Sequence, residues 1–360
     1  MVYVDVGANS YPVYVKAGIL SDVGRITRDK GIKKALIVTD NNVGPLYLKK
    51  VQSALVEAGL KAFPLTLPAG ESYKTIAAVE LIWEAALEAT LDRKSLLISL
   101  GGGVIGDLTG FAAATYMRGL NFLQIPTTLL AQVDASVGGK TGCNLRKGKN
   151  LVGAFHQPIA VCADPSTLLS LSEREYCSGF AEIIKHALIA SSHLLELVEN
   201  NLDLIKKRDL TILTQIVEEN VEIKAKIVSQ DEKETGKRAL LNLGHTAGHA
   251  LEELGDYKIY HHGEAVAIGL VIATQIACER GYLDSSYLSR IQALLCSLGL
   301  PISPHEEISP EIWWKRTFAD KKQSSGQVYW VLPKVGGLAN YGEKVEFNEF
   351  AKAVRSLGKG

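Results

Sequence analysis

The sequence has no excess of charge of either sign: 39 lysines and arginines meet 39 aspartates and glutamates, a net charge of +0. Such a balance gives no bulk field to draw in nucleic acid or an anionic membrane surface, and so argues against both as partners. Cysteine is scarce. The five, Cys143, Cys162, Cys177, Cys278 and Cys296, are scattered and never stand in C-x-x-C, which argues against a disulfide framework or a cysteine zinc site. A reducing compartment fits them. The opening stretch MVYVDVGANSYPVYV alternates like a strand and lacks the basic-then-apolar pattern of a secretion signal. The most apolar later run, AVAIGLVIATQIA, is too short to cross a bilayer. No repeat or low-complexity segment is apparent. The expectation from these absences is a cytoplasmic protein.

What is present exceeds one ordinary hydrophobic core, since the chain has 360 residues of which 47% are apolar. Two domains are expected, 1–165 and 166–360. In the first, the strand-like runs KKALIVTD, KAFPLTLP, SLLISL and NFLQIPTT alternate with helical stretches such as LYLKKVQSALVEAGL and TIAAVELIWEAALEATL. That alternation predicts a parallel sheet covered by helices, with ligands at the carboxyl ends of strands, where Asp40, Gly101 to Gly103 and Thr127-Thr128 stand. The second half is mainly helical in pattern. The fold class expected is therefore an α/β Rossmann-like N-terminal domain with a parallel-sheet core plus a mainly α-helical C-terminal domain.

Gly101, Gly103 and Gly106 spell G-x-G-x-x-G after SLLISL, the spacing of a turn that presents backbone N–H groups to a pyrophosphate. The fingerprint is incomplete, because GLNFLQIPTT offers no acidic ribose partner, although Asp40 could take that part. A simple strand-to-helix turn explains the glycines equally well. QVDASVGGKTGCN departs from a Walker loop at Asp134, where glycine would be required, but Lys140, Lys147, Lys149 and Asn150 suit a loop that closes on a small anion. An exposed basic loop is the plain alternative.

Four of the eight histidines fall between 245 and 262. His245 and His249 lie at i and i+4, on one helix face, and His261-His262 precede another helix. Glu182, with Lys185 on its face at i+3, is a candidate third ligand for a catalytic metal. Spacing alone leaves open which histidines ligate. Lys224 and Asn220 interrupt an apolar stripe of Leu213, Ile216, Val217, Val221, Ile227 and Val228, which points to a cation aimed into a cleft or to a snorkelling side chain. Glu234, Arg238 and Asn242 follow in a polar run. Arg118, Lys140, Lys149, Lys185, Lys224 and Arg238 together favour a compact anionic substrate over a polyanion.

GGGVIGD, IPTTLLAQVDASVGGKTGCN, KNLVGAFHQP, AEIIKHALI, DEKETGKRALLNLGHTAGHALE, HHGEAVAIG and DKKQSSGQVYWVLP, in this order, closely resemble the 3-dehydroquinate synthase family of sugar phosphate cyclases. The resemblance implies a divalent metal, zinc or cobalt, on Glu182, His245 and His262, with His261 a bystander. It implies NAD along Asp40, Glu71 to Lys74, Gly102, Gly103, Val104, Asp107, Thr127, Thr128, Lys149, Thr167, Leu168, Leu169 and Ser170. Substrate contacts carry over to Arg118, Asp134, Lys140, Asn150, Lys185, Lys224, Arg238, Asn242, His249 and to Lys321 or Lys322. Catalytic roles fall on Lys140, Glu234, Arg238 and His249. Ser178 stands where some members have Asn. The implied reaction turns 3-deoxy-D-arabino-heptulosonate 7-phosphate into 3-dehydroquinate and phosphate, and a homodimer is the implied assembly. A metal- and NAD-dependent polyol dehydrogenase or another sugar phosphate cyclase is the competing reading. The first would not need the lysine and arginine set, and the second would be expected to alter Asn150, Arg238 or Asn242.

Overall fold

The computed structural model describes residues 1–28, 30–146, 148–318 and 328–357. They fall into two compact units, Met1–Leu171 with Leu213–Lys233, and Ser172–Ile212 with Glu234–Gly360.

In the first unit, β1 (Val2–Val4), β2 (Tyr11–Val15), β3 (Lys34–Asp40), β4 (Lys61–Leu67), β5 (Leu96–Gly101), β6 (Asn121–Pro126) and β9 (Ala160–Ala163) form one seven-stranded sheet in the order β1-β2-β9-β6-β5-β3-β4. Every pairing is parallel except β1 with β2. Helices cover both faces, so the central strands read as apolar runs, not as alternations. Leu36, Val38 and Leu97 pack with the helices Ile76–Glu88 and Gly103–Thr115 on one face. Ala35, Ile37, Leu96 and Ile98 pack with Val51 and Leu55 of the helix Gly44–Glu57 on the other. Register then decides where the loops emerge. Thr39 pairs with Leu100 and Gly101 with Pro126, which brings Asp40, Gly101 and Thr127 to one end of the sheet.

Between β6 and β9 lies a separate antiparallel ribbon of β7 (Lys140–Leu145) and β8 (Gly148–Phe155). The helix Leu210–Gln230 joins the first unit from Leu213 onward, whereas a single cut at 165 puts it in the second half. Its polar side chains supply the reason. Asn220 Nδ2 donates to the Val133 carbonyl at 2.7 Å, and Lys224 Nζ pairs with Asp134 Oδ1 at 2.8 Å.

The second unit is built on helices around one apolar axis. The helix His262–Glu279 is almost wholly buried, and it runs against Glu173–Ala190 and His245–Leu254. Glycine allows the close approach. A Cβ on Gly263 would lie 1.9 Å from the Ser178 carbonyl oxygen, and one on Gly269 would lie 2.0 Å from that of Gly244. Ser172 caps the first of these helices by accepting from the Glu175 N–H. The pair β10 (Tyr329–Lys334) and β11 (Leu338–Lys344) and the helix Phe347–Ser356 complete the unit. No helix among the described residues is long and apolar enough to cross a membrane.

Candidate active site

In the second unit, three of the singled-out side chains converge. Glu182 comes from the helix Glu173–Ala190, His245 opens the helix His245–Leu254, and His262 opens His262–Glu279. One ligand atom from each lies within 4.8 Å of the others. His262 Nε2 stands 3.4 Å and His245 Nε2 3.6 Å from the same oxygen, Glu182 Oε1. The far nitrogens are also engaged. His245 Nδ1 lies 3.1 Å from the Leu243 carbonyl oxygen, and His262 Nδ1 lies 3.2 Å from Glu252 Oε2. A protonated Nδ1 donating to each oxygen leaves the Nε2 lone pairs directed at the carboxylate.

Two ring nitrogens and a carboxylate around one point fit a divalent cation with a position left over. Glu182 has no solvent exposure and forms an ion pair with Lys185, itself buried. Burial lowers the pKa of His245 to about 3, which keeps that ring neutral. Burial also disfavours charge on His262, but hydrogen bonds to Glu182 and Glu252 outweigh it and push the pKa up to about 10. A divalent cation at Nε2 takes the place of a proton there. His249 lies beside the group, its ring centroid 5.1 Å from that of His245 and 6.0 Å from that of His262. His261 is turned away from it, with Nδ1 3.2 Å from Glu175. Arg238 is buried in the short helical turn Lys237–Asn242, and Asn242 Nδ2 donates to Glu234 Oε1 at 3.4 Å.

In the first unit, Gly102 sits where β5 gives way to the helix Gly103–Thr115. A Cβ there would lie 3.1 Å from Thr128 Cγ2, so a side chain would fill the space over the helix start. Thr127 Oγ1 is buried with no hydrogen-bond partner among the described residues. A donor lacking a partner beside free helical N–H groups is what a bound pyrophosphate or ribose would satisfy, and the residues fit a dinucleotide there. Asp40 is drawn into its own turn, with Oδ1 accepting from the N–H groups of Asn42 and Val43, both at 2.9 Å. Thr167 Oγ1 donates to the Asp164 carbonyl at 2.8 Å, and Ser170 Oγ lies 2.6 Å from the Tyr47 hydroxyl. Leu168 is buried and Leu169 exposed on the same turn.

Lys74 joins residues that the sequence resemblance sends to different ligands. Its Nζ lies 2.5 Å from Asp107 Oδ2 and 2.5 Å from Asn150 Oδ1. Burial raises the pKa of Asp107, with Lys74 pulling against it. Nearby, Asn144 donates to Glu71 at 2.7 Å and accepts from the Asn150 N–H at 2.8 Å. Lys140 and Lys149 lie on the ribbon of β7 and β8, and Arg118 on an exposed turn with φ +66°. Lys321 and Lys322 lie outside the described residues.

Comparison with known proteins decides what this arrangement belongs to. Residues 64–178 match the family model for the 3-dehydroquinate synthase N-terminal region, and residues 179–323 match the one for its C-terminal region. The chain belongs to the 3-dehydroquinate synthase family. The 3-dehydroquinate synthase of Saccharophagus degradans is 43% identical over 99% of this chain and 98% of its own. The chloroplastic enzyme of Solanum lycopersicum is 45% identical over 94% of this chain and 77% of its own. Among solved structures, a 2-epi-5-epi-valiolone synthase from Streptomyces hygroscopicus, determined with NAD+ and Zn2+ bound, superposes with a TM-score of 0.90 at 27% identity, covering 99% and 98% of the two chains.

The contacts of two residues of this family member escape a reading by motif. Glu252 stands seven positions after His245 and three after His249, so the three share one helix face, but its partner His262 belongs to the next helix. Ser178 accepts a hydrogen bond from the Gly263 N–H at 3.1 Å, next to the candidate ligand His262. Nothing local to Ser178 in the sequence signals that partner.

Proposed function

We propose that the chain converts 3-deoxy-D-arabino-heptulosonate 7-phosphate into 3-dehydroquinate and phosphate by transient oxidation, β-elimination of phosphate, reduction, ring opening and aldol closure. When bound, NAD takes up and returns a hydride and the divalent cation, zinc or cobalt, serves as Lewis acid. Glu182, His245 and His262 hold the cation. Asp40, Glu71, Lys74, Gly102 to Val104, Asp107, Thr127, Thr128, Lys149 and the 167–170 turn would hold the dinucleotide. Arg118, Lys140 and Asn150 bind the substrate phosphate. Lys185, Lys224, Arg238 and Asn242 bind its remaining oxygens. His249 moves a proton at its ring nitrogen, and Glu234 serves as acid and base.

The observation that supports this reading is the convergence of Glu182, His245 and His262 on one point, in a chain that matches the family over residues 64–323. The reading keeps the protein in the cytoplasm as a homodimer acting on a small sugar-acid phosphate, and the free cysteines agree with a reducing compartment.

The test supplies the heptulosonate phosphate, NAD and zinc. Phosphate release without net NADH is expected, because the hydride is returned. Steady NADH formation from glycerol with no phosphate release would establish the dehydrogenase instead.

A further inference from the structure

Glu252 is a buried carboxylate to which neither the family resemblance nor the proposed chemistry gives a part. Its side chain is 7% exposed, and Oε2 lies 3.2 Å from His262 Nδ1. The opposite ring nitrogen, Nε2, faces Glu182 Oε1 at 3.4 Å. His262 is thus held between two carboxylates at its two edges. His245 has the same arrangement with a weaker partner, since its Nδ1 meets a backbone carbonyl, that of Leu243.

We propose that Glu252 is a positioning residue for the metal, acting through His262: it accepts the Nδ1 proton, fixes the tautomer that leaves Nε2 for the cation, and makes that ring the stronger donor. Two facts support it. A carboxylate behind a ligating imidazole both orients the ring and raises its basicity. The two-residue linkage spans helices, because Glu252 is near the end of His245–Leu254 and His262 begins the next helix, so the hydrogen bond also sets the ring against the helix that carries His245. In a competing use, His249, Glu252 and His262 could themselves surround a cation, with ligand atoms all within 4.8 Å. The geometry at His262 separates the two uses. If Nδ1 donates to Glu252, it is not a ligand, and the site of Glu182, His245 and His262 is the one that binds.

The inference rests on the metal site of the proposed function, and the experiment keeps the two apart. Glu252→Gln, Glu252→Asp and Glu252→Ala are made in the full chain, and zinc affinity is measured by competition with a chromophoric chelator. Cobalt stoichiometry and visible absorption are recorded alongside, and NAD binding serves as the control for folding. Loss of a partner of this kind weakens metal binding by about 10- to 100-fold. The expected result is a loss in that range for Glu252→Ala, a smaller one for Glu252→Gln, partial recovery in Glu252→Asp, and NAD binding as in the parent. An altered cobalt spectrum at one ion per chain completes it. Unchanged zinc affinity in Glu252→Ala overturns the inference while the metal site stands. Two ions per parent chain, one of them lost in Glu252→Ala, overturns it by making Glu252 a ligand. Loss of NAD binding in step with zinc in all three variants overturns it by making Glu252 structural. A parent chain that binds no zinc overturns the metal site as well.

Discussion

Lys140 stands exposed at the start of β7, unlike Lys185 and Arg238, which are buried. A cation so placed can reach a phosphate. Lys140→Ala should therefore lower turnover by roughly 10- to 100-fold, the worth of one charged hydrogen bond, while NAD binding is kept. Steady-state kinetics beside NAD titration checks it, and equal losses in both would move Lys140 to the cofactor. At this scale the histidine cluster was legible in the sequence as a candidate, while which histidines join Glu182 came from the family resemblance, because the three side chains stand on three different helices. Glu252 was hidden: its spacing from His245 and His249 is visible, but its partner is set by how two helices pack.

At the scale of elements, the helix His262–Glu279 is fixed at both ends. At its start, Gly263 passes so near the helix Glu173–Ala190 that an added Cβ would sit 1.9 Å from backbone. Gly263→Ala should cost about 1–3 kcal/mol, the usual penalty of overpacking, and should weaken zinc binding because His262 is the neighbouring residue. Chemical denaturation and zinc titration test this, and a variant with parent stability would contradict the packing described. At the far end, Arg280 donates from Nε and Nη2 to both oxygens of Glu349, at 2.7 and 2.9 Å, and from Nη1 to Glu343 at 2.9 Å. The hydrogen bond from Arg280 holds the Glu349 carboxyl below its ordinary value of 4.5. A lowered pKa in the folded state gives stability above the usual carboxylate range that is lost as pH falls through it. Glu349→Gln should thus cost about 1 kcal/mol at neutral pH and progressively less below pH 4.5, read from unfolding midpoints against pH. A constant difference would contradict the assignment. The central strands β3, β5 and β6 were legible as short apolar runs because both of their faces are covered. The placing of Leu213–Lys233 with that sheet was not, since Asn220 and Lys224 find their partners in Val133 and Asp134, far back along the chain.

For the whole molecule, the ordered motifs and the matches over residues 64–323 give the family, while the side-chain geometry brings Glu182, His245 and His262 together. The central claim is that Glu182, His245 and His262 hold a cation on which phosphate release depends. The most direct test measures phosphate released from the heptulosonate phosphate per enzyme before chelation, after it, and after zinc or cobalt is restored. Release should fall to background with chelator and return with either ion, and release that continues at the parent rate in the metal-free chain would contradict the account.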